Sequence, residues 1–266
     1  MRYLVPGGER PVYFASQGGA DAALDIGAEF EERAVAIHDA RLLRPPATLD
    51  REGFTLLRHP TQVADFYALN GGRASYEAEI AELVLTASGG AEALVFDHTL
   101  RSDSRDIRGV RRSREAASVI HNDYTDASAI KRLHDLLPPA EAERRLQSRF
   151  AIVNVWRSIA GTVLTSPLAC CDAATVQHGD LIAAERRAAD RIGELQLVRW
   201  NPAHRWYYFP EMGRDEVLLI KTFDSAVDGP ARRSIHTAFA NPLAPPDAAA
   251  RESMESRLLV FFQPSA

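Results

Sequence analysis

The sequence predicts a mainly β protein with flanking helices, organised as an antiparallel barrel or jelly roll. Two observations carry that expectation. From about residue 149 onward, short runs rich in branched and aromatic residues recur, separated by Asn-Pro, Gly and Asp-Gly turn signals. Helical periodicity, by contrast, is confined to the first 150 residues, which puts the helices outside the barrel.

In chain order, residues 34–37 (AVAI) and 54–57 (FTLL) read as strands. Residues 73–88 read as a helix, because Tyr76, Ile80, Leu83, Val84 and Ala87 recur at helical spacing and Gly89-Gly90 ends the pattern. Two further strands are expected at 93–96 and 118–120. The period then turns helical, with Asp126 or Ser128 as N-cap, Ile130, Leu133 and Leu137 on one face, and Pro138-Pro139 as the stop. A short helix over 140–147 leads to strands at 149–159, 167–173, 194–200, 205–209, 216–223, 233–239 and 256–262. With no repeat and no interdomain linker, residues 1–266 form one expected domain. It has a mixed α/β cover over 1–90 and a jelly-roll core over 91–266, with a helical insert at about 126–148.

The 266 residues are 46% hydrophobic and 25% charged, which is enough to bury a full core. Thirty-one basic against thirty-six acidic residues give a formal charge of −5 without a long run of one sign, so nucleic acid is not an expected partner. The densest basic run, RSDSRDIRGVRRSR at 101–114, carries two aspartates and reads as a solvated loop. Cys170 and Cys171 are adjacent, so they neither close a loop nor have zinc spacing, and they read as small apolar strand residues. No stretch has the length of a signal peptide or membrane span, which makes a reducing, cytoplasmic location the default.

The segment SVIHNDYT, 118–125, places His121 and Asp123 two apart. In a strand both side chains then share a face and aim at one point. His-x-Asp alone arises by chance in many chains. A non-haem iron site needs two histidines and one carboxylate, and His236 in RSIHTAF, 115 residues later, supplies a second histidine. Arg251 and Ser253 follow, and on one strand face their guanidinium fork and hydroxyl suit a carboxylate.

Together, VIHNDYT, RFAIVNVWR, PLACCDA, NPAHRWYYFPEM, DEVLLIKTFDS, IHTAF and RESMESRLLVFF resemble the Fe(II)/2-oxoglutarate-dependent oxygenases. Within them they resemble the hydroxylase/desaturase family of gibberellin desaturase-like and cephamycin methoxylase-type enzymes. The resemblance runs from about residue 94 to 262. It implies a double-stranded β-helix (jelly-roll) core, with His121, Asp123 and His236 as iron ligands and Arg251 with Ser253 holding 2-oxoglutarate. Arg257, on the same strand face, competes for that anchoring role, and Asn154 and Trp156 face the interior toward cosubstrate or substrate. Asn122 and Tyr124 are expected to hydrogen-bond around the ligands, and the cluster 204–208 grips a polar molecule or fills the core. Asp97 and His98, being sequential, point to opposite sides of their strand.

The activity implied is hydroxylation, desaturation or cyclisation of a small specialised metabolite, amino-acid-derived by resemblance, at the expense of molecular oxygen. The alternatives are an iron oxidase or dioxygenase that does not use 2-oxoglutarate, or a non-catalytic barrel accessory subunit. Membrane partners are not expected, and a homo-oligomer is left open.

Overall fold

A computed structural model describes residues 1–189 and 191–263; residues 264–266, the end of the domain expected over 1–266, lie outside it. The N-terminal third gives β1 (Arg2–Leu4), β2 (Val12–Phe14), β3 (Asp25–Gly27), β4 (Phe30–Glu32), β5 (Ile37–Asp39), β6 (Phe54–Arg58) and α1 (Arg73–Ser88). Next come β7 (Glu92–Ser102), α2 (Arg105–Arg111), β8 (His121–Asn122), α3 (Asp126–Leu136), α4 (Pro139–Leu146) and β9 (Phe150–Ser158). The chain then runs through β10 (Leu168–Cys171), β11 (Leu181–Arg187), β12 (Ile192–Val198), β13 (Trp206–Tyr208), β14 (Glu216–Asp224), β15 (His236–Ala238) and β16 (Glu252–Phe261).

Two sheets make the jelly roll. The larger has nine strands in the order β3-β2-β11-β12-β8-β15-β10-β13-β5, and the smaller has five in the order β6-β14-β9-β16-β7. Strand pairs are antiparallel except β2 on β11 and β5 on β13. The N-terminal third is woven into both sheets, since β6 pairs with β14 and β5 with β13. All four α-helices precede residue 147 among the described residues.

Helix α1 lies on the five-stranded sheet, burying Tyr76, Ile80 and Val84 against Val153, Val155, Val217, Leu219 and Val260. Its end is set by Gly89, which adopts the left-handed conformation at the cap. Gly90 then passes so close to the sheet that a Cβ there would collide with Val260 Cγ1.

Several expectations need correction. Residues 34–36 are not strand, because β5 starts only at Ile37. Residues 118–120 are also outside any strand; pairing begins at His121 and ends at Asn122. Helix α3 is capped by Thr125, whose hydroxyl accepts from Ser128 N while the Ser128 hydroxyl accepts from Thr125 N. Ala129 and Leu133 turn inward, and Ile130 is exposed. Pro138-Pro139 stops α3 and also starts α4, where Pro139 takes the first-turn position that has no use for an N–H. The basic run at 101–114 is not a solvated loop: it comprises the end of β7, helix α2 and a bridge between Arg101 and Arg114. Cys170 and Cys171 are buried, free thiols in β10.

Candidate active site

Strand register assembles the centre of the site. β8 lies between β12 and β15, and His121 faces His236 directly across the β8–β15 pair. Their rings are 4.5 Å apart, and Asp123, one residue beyond the end of β8, returns toward them. His121 Nε2 is 3.5 Å from Asp123 Oδ1. One donor atom from each of His121, Asp123 and His236 lies within 4.8 Å of the other two.

Neighbouring groups leave the right atoms free. His121 Nδ1 donates to the Val119 carbonyl at 2.8 Å, and His236 Nδ1 donates to the Ser234 carbonyl at 3.1 Å. Those bonds leave each Nε2 with its lone pair available. Asp123 Oδ2 accepts from Arg257 Nε at 2.9 Å and from Asn154 Nδ2 at 2.8 Å, so Oδ1 faces the histidines. Burial raises the Asp123 carboxyl, but Arg257, the two histidines and the Asn154 amide outweigh it and hold the group well below the usual carboxylate range. Burial pushes the His121 imidazole down to about 3, helped by the neighbouring His236. An anionic oxygen and neutral imidazoles are the forms a cation binds.

Arg251, just before β16, and Ser253, Glu255 and Arg257 on it alternate toward the interior, but the two arginines differ in employment. Arg257 is fully engaged, with Asp123, Asp97 at 2.6 Å, the Thr99 hydroxyl at 3.2 Å, and Glu255. Arg251, 3% exposed, donates Nη1 to the Ser166 carbonyl at 3.0 Å, with its Cζ 5.9 Å from the Trp156 ring. Its Nε and Nη2 are buried without a hydrogen-bond partner, as is Ser253 Oγ, and the only carboxylate near Nη2 among the described residues is Asp103, at 3.7 Å. Buried donors of this kind call for an acceptor, and a carboxylate matches the guanidinium fork.

Trp156 packs in the core between the sheets. Asn122 turns away from the cluster and donates to the Tyr124 carbonyl at 2.7 Å, so Asn154 and Arg257 do the orienting expected of Asn122 and Tyr124. His204 and Trp206 belong to a buried network with Tyr3: Trp206 Nε1 donates to the Tyr3 hydroxyl at 2.8 Å, and His204 Nε2 lies 3.2 Å from Asp180. Asp97 and His98 do point apart, His98 Nδ1 lying 2.8 Å from the Ser256 hydroxyl on the far side. A cavity opens beside His121 and Asp123. It is lined on one side by Leu24, Ile26, Leu195 and Leu197, and on others by several arginines that sequence periodicity gave no reason to gather there.

Two histidines and a carboxylate converging inside a jelly roll, with a cavity at their open side, define the class of non-haem iron oxygenases. The comparisons agree. Residues 1–261 match the family model described as "Oxidoreductase/YMDC permease-like domain". The hydroxylase/desaturase CTB9 of Cercospora beticola is 32% identical over 261 residues, covering 88% of this chain and 78% of that protein. The Fe(II)/2-oxoglutarate-dependent dioxygenase nvfI of Aspergillus novofumigatus is 33% identical over 240 residues, covering 85% and 82%. The solved structure of the iron and alpha-ketoglutarate-dependent endoperoxidase NvfI superposes with a TM-score of 0.84 at 29% identity, over 98% of this chain and 96% of that one. The chain belongs to this family of Fe(II)/2-oxoglutarate-dependent hydroxylase/desaturase enzymes. It is therefore an oxygenase whose cofactors are Fe(II) and 2-oxoglutarate, and whose reactants are a small molecule and molecular oxygen. No helix among the described residues is long and apolar enough to cross a membrane.

Proposed function

We propose that this enzyme oxidises an unactivated C–H bond of a small specialised metabolite held in the cavity beside His121 and Asp123, giving a hydroxyl, a double bond or a ring. In this reading His121, Asp123 and His236 hold the iron, and Arg251 with Ser253 holds the far carboxylate of 2-oxoglutarate. When bound, iron and 2-oxoglutarate supply the oxidising power, drawn from molecular oxygen as the 2-oxo acid is decarboxylated.

The protein's own residues do the positioning. Arg257 and Asn154 clamp one oxygen of Asp123, so the carboxylate presents a single atom in a fixed direction. The carbonyls of Val119 and Ser234 fix both imidazoles in the tautomer that binds metal. Trp156 and the packed interior of the two sheets exclude water from the reacting face. A cytoplasmic setting belongs to the same reading.

The observation that carries the cosubstrate assignment is the contrast between Arg251, whose Nε and Nη2 make no hydrogen bond and whose Nη2 meets only Asp103 at 3.7 Å, and the fully engaged Arg257. Arg251→Ala is expected to leave Fe(II) binding intact and weaken 2-oxoglutarate by roughly 10- to 100-fold, the range for losing charge-assisted hydrogen bonds. Equilibrium dialysis of both ligands under argon measures this. An unchanged 2-oxoglutarate affinity would remove Arg251 from the role.

A further inference from the structure

Five guanidiniums, those of Arg101, Arg114, Arg132, Arg186 and Arg191, line the cavity that His121 and Asp123 open onto. None of the five has a carboxylate within ion-pair distance among the described residues. The acidic groups in the same wall are already taken. Asp97 and Asp123 pair with Arg257, Asp135 pairs with Lys131, and Glu194 pairs with Arg10. Arg132 lies over the Phe96 ring at 4.9 Å, and Arg101 donates to the Glu115 carbonyl at 2.9 Å. Arg114 and Arg186 make neither kind of contact among the described residues, although both are largely withdrawn from solvent.

These two reach the cavity from different walls. Arg186 stands on β11 of the nine-stranded sheet, and Arg114 is bridged to Arg101 at the end of β7 in the five-stranded sheet. Burial depresses both guanidiniums, and like charges add to it: Arg101 and Arg257 act on Arg114, and Arg257, Arg114 and Arg191 act on Arg186. Gathering desolvated charges of one sign is a standing cost to a fold, and a bound anion offsets it. In a chain of net charge −5 the concentration is local to this cavity.

We infer that the substrate is amphiphilic, with an apolar skeleton that lies along Leu24, Ile26, Leu195 and Leu197 and a carboxylate that is held between Arg114 and Arg186. Planar guanidiniums from two walls can share one carboxylate, one across both oxygens and the other on a remaining lone pair, and so fix the skeleton relative to His121 and Asp123. The inference rests on the functional reading above, but its binding chemistry is testable without turnover.

The test is calorimetric titration of 2-naphthoate and of its neutral match, 2-naphthamide, into wild type, Arg114→Gln, Arg186→Gln and Arg186→Lys. Each is run with and without saturating 2-oxoglutarate, at two salt concentrations. Naphthoate should bind about tenfold or more tightly than the amide, and more weakly at high salt. Each Gln variant should lose about tenfold toward naphthoate while keeping wild-type melting behaviour, and Arg186→Lys should lose less because it keeps the charge. Binding should persist when 2-oxoglutarate is saturating. Equal affinity for acid and amide, absent naphthoate binding, or Gln variants that bind like wild type would overturn the inference. So would competition with 2-oxoglutarate accompanied by loss of 2-oxoglutarate binding in the Gln variants, which would give the cluster to the cosubstrate. Failure of the iron reading shows separately, as absent Fe(II) binding in protein that still prefers the acid.

Discussion

At the scale of single residues, the centre of the site is Asp123. Its Oδ2 is held by two donors from two different strands, and its Oδ1 is thereby aimed at His121. Arg257 is thus a positioning residue that also supplies the compensating charge, because a buried carboxylate without it carries the full cost of desolvation. Arg257→Gln should weaken Fe(II) binding by about 10- to 100-fold, the usual penalty for removing an outer-shell partner, and Asn154→Ala by less because no charge is lost. Metal content after gel filtration through graded chelator would check it. Iron affinity unchanged in Arg257→Gln would mean that the clamp on Asp123 is not what orients the ligand.

At the scale of elements, runs rich in branched and aromatic residues made the long strands legible, and β9, β14 and β16 begin and end within a few residues of those runs. Alternation placed Ser253 and Arg257 on one face of β16, with Arg251 just ahead of it in the same phase, and Asn154 with Trp156 on one face of β9. It failed where pairing is short. β8 has two residues, and the apolar run before it is coil whose Val119 carbonyl is taken by the His121 ring. β11 was not recognised because Glu185-Arg186-Arg187 breaks its apolar pattern, and β1 to β4, three residues each, carry too little pattern to see. Nor does any sequence signal announce the charges inside the five-stranded sheet. Asp224 is fully buried, bound by Lys221 at 2.9 Å and Arg149 at 2.6 Å, with Lys221 also on Asp50 at 2.5 Å. Removing the carboxylate leaves a buried lysine with one half-exposed partner, so Asp224→Ala should cost about 3–5 kcal/mol in urea unfolding. A loss under about 1 kcal/mol would show that Lys221 finds solvent or that Asp50 suffices.

At the scale of the molecule, the jelly roll brings together candidate ligands 115 residues apart, because β8 and β15 are neighbours in the nine-stranded sheet although far apart in the chain. The candidate ligands and the candidate cosubstrate arginine could be named from sequence because the chemistry restricts residue type and spacing. The cavity arginines were not: net charge is a total, and the run at 101–114 shows its meaning only when Arg101 and Arg114 face Arg186 across the same space. Whether His121, Asp123 and His236 form one iron site served by 2-oxoglutarate can be read by anaerobic titration of Fe(II) and 2-oxoglutarate into wild type and His236→Ala, following the weak visible charge-transfer band of the chelate. The band should saturate at about one iron per chain in wild type and be lost in the variant. Iron that binds without the band, or a band that survives in His236→Ala, would contradict it.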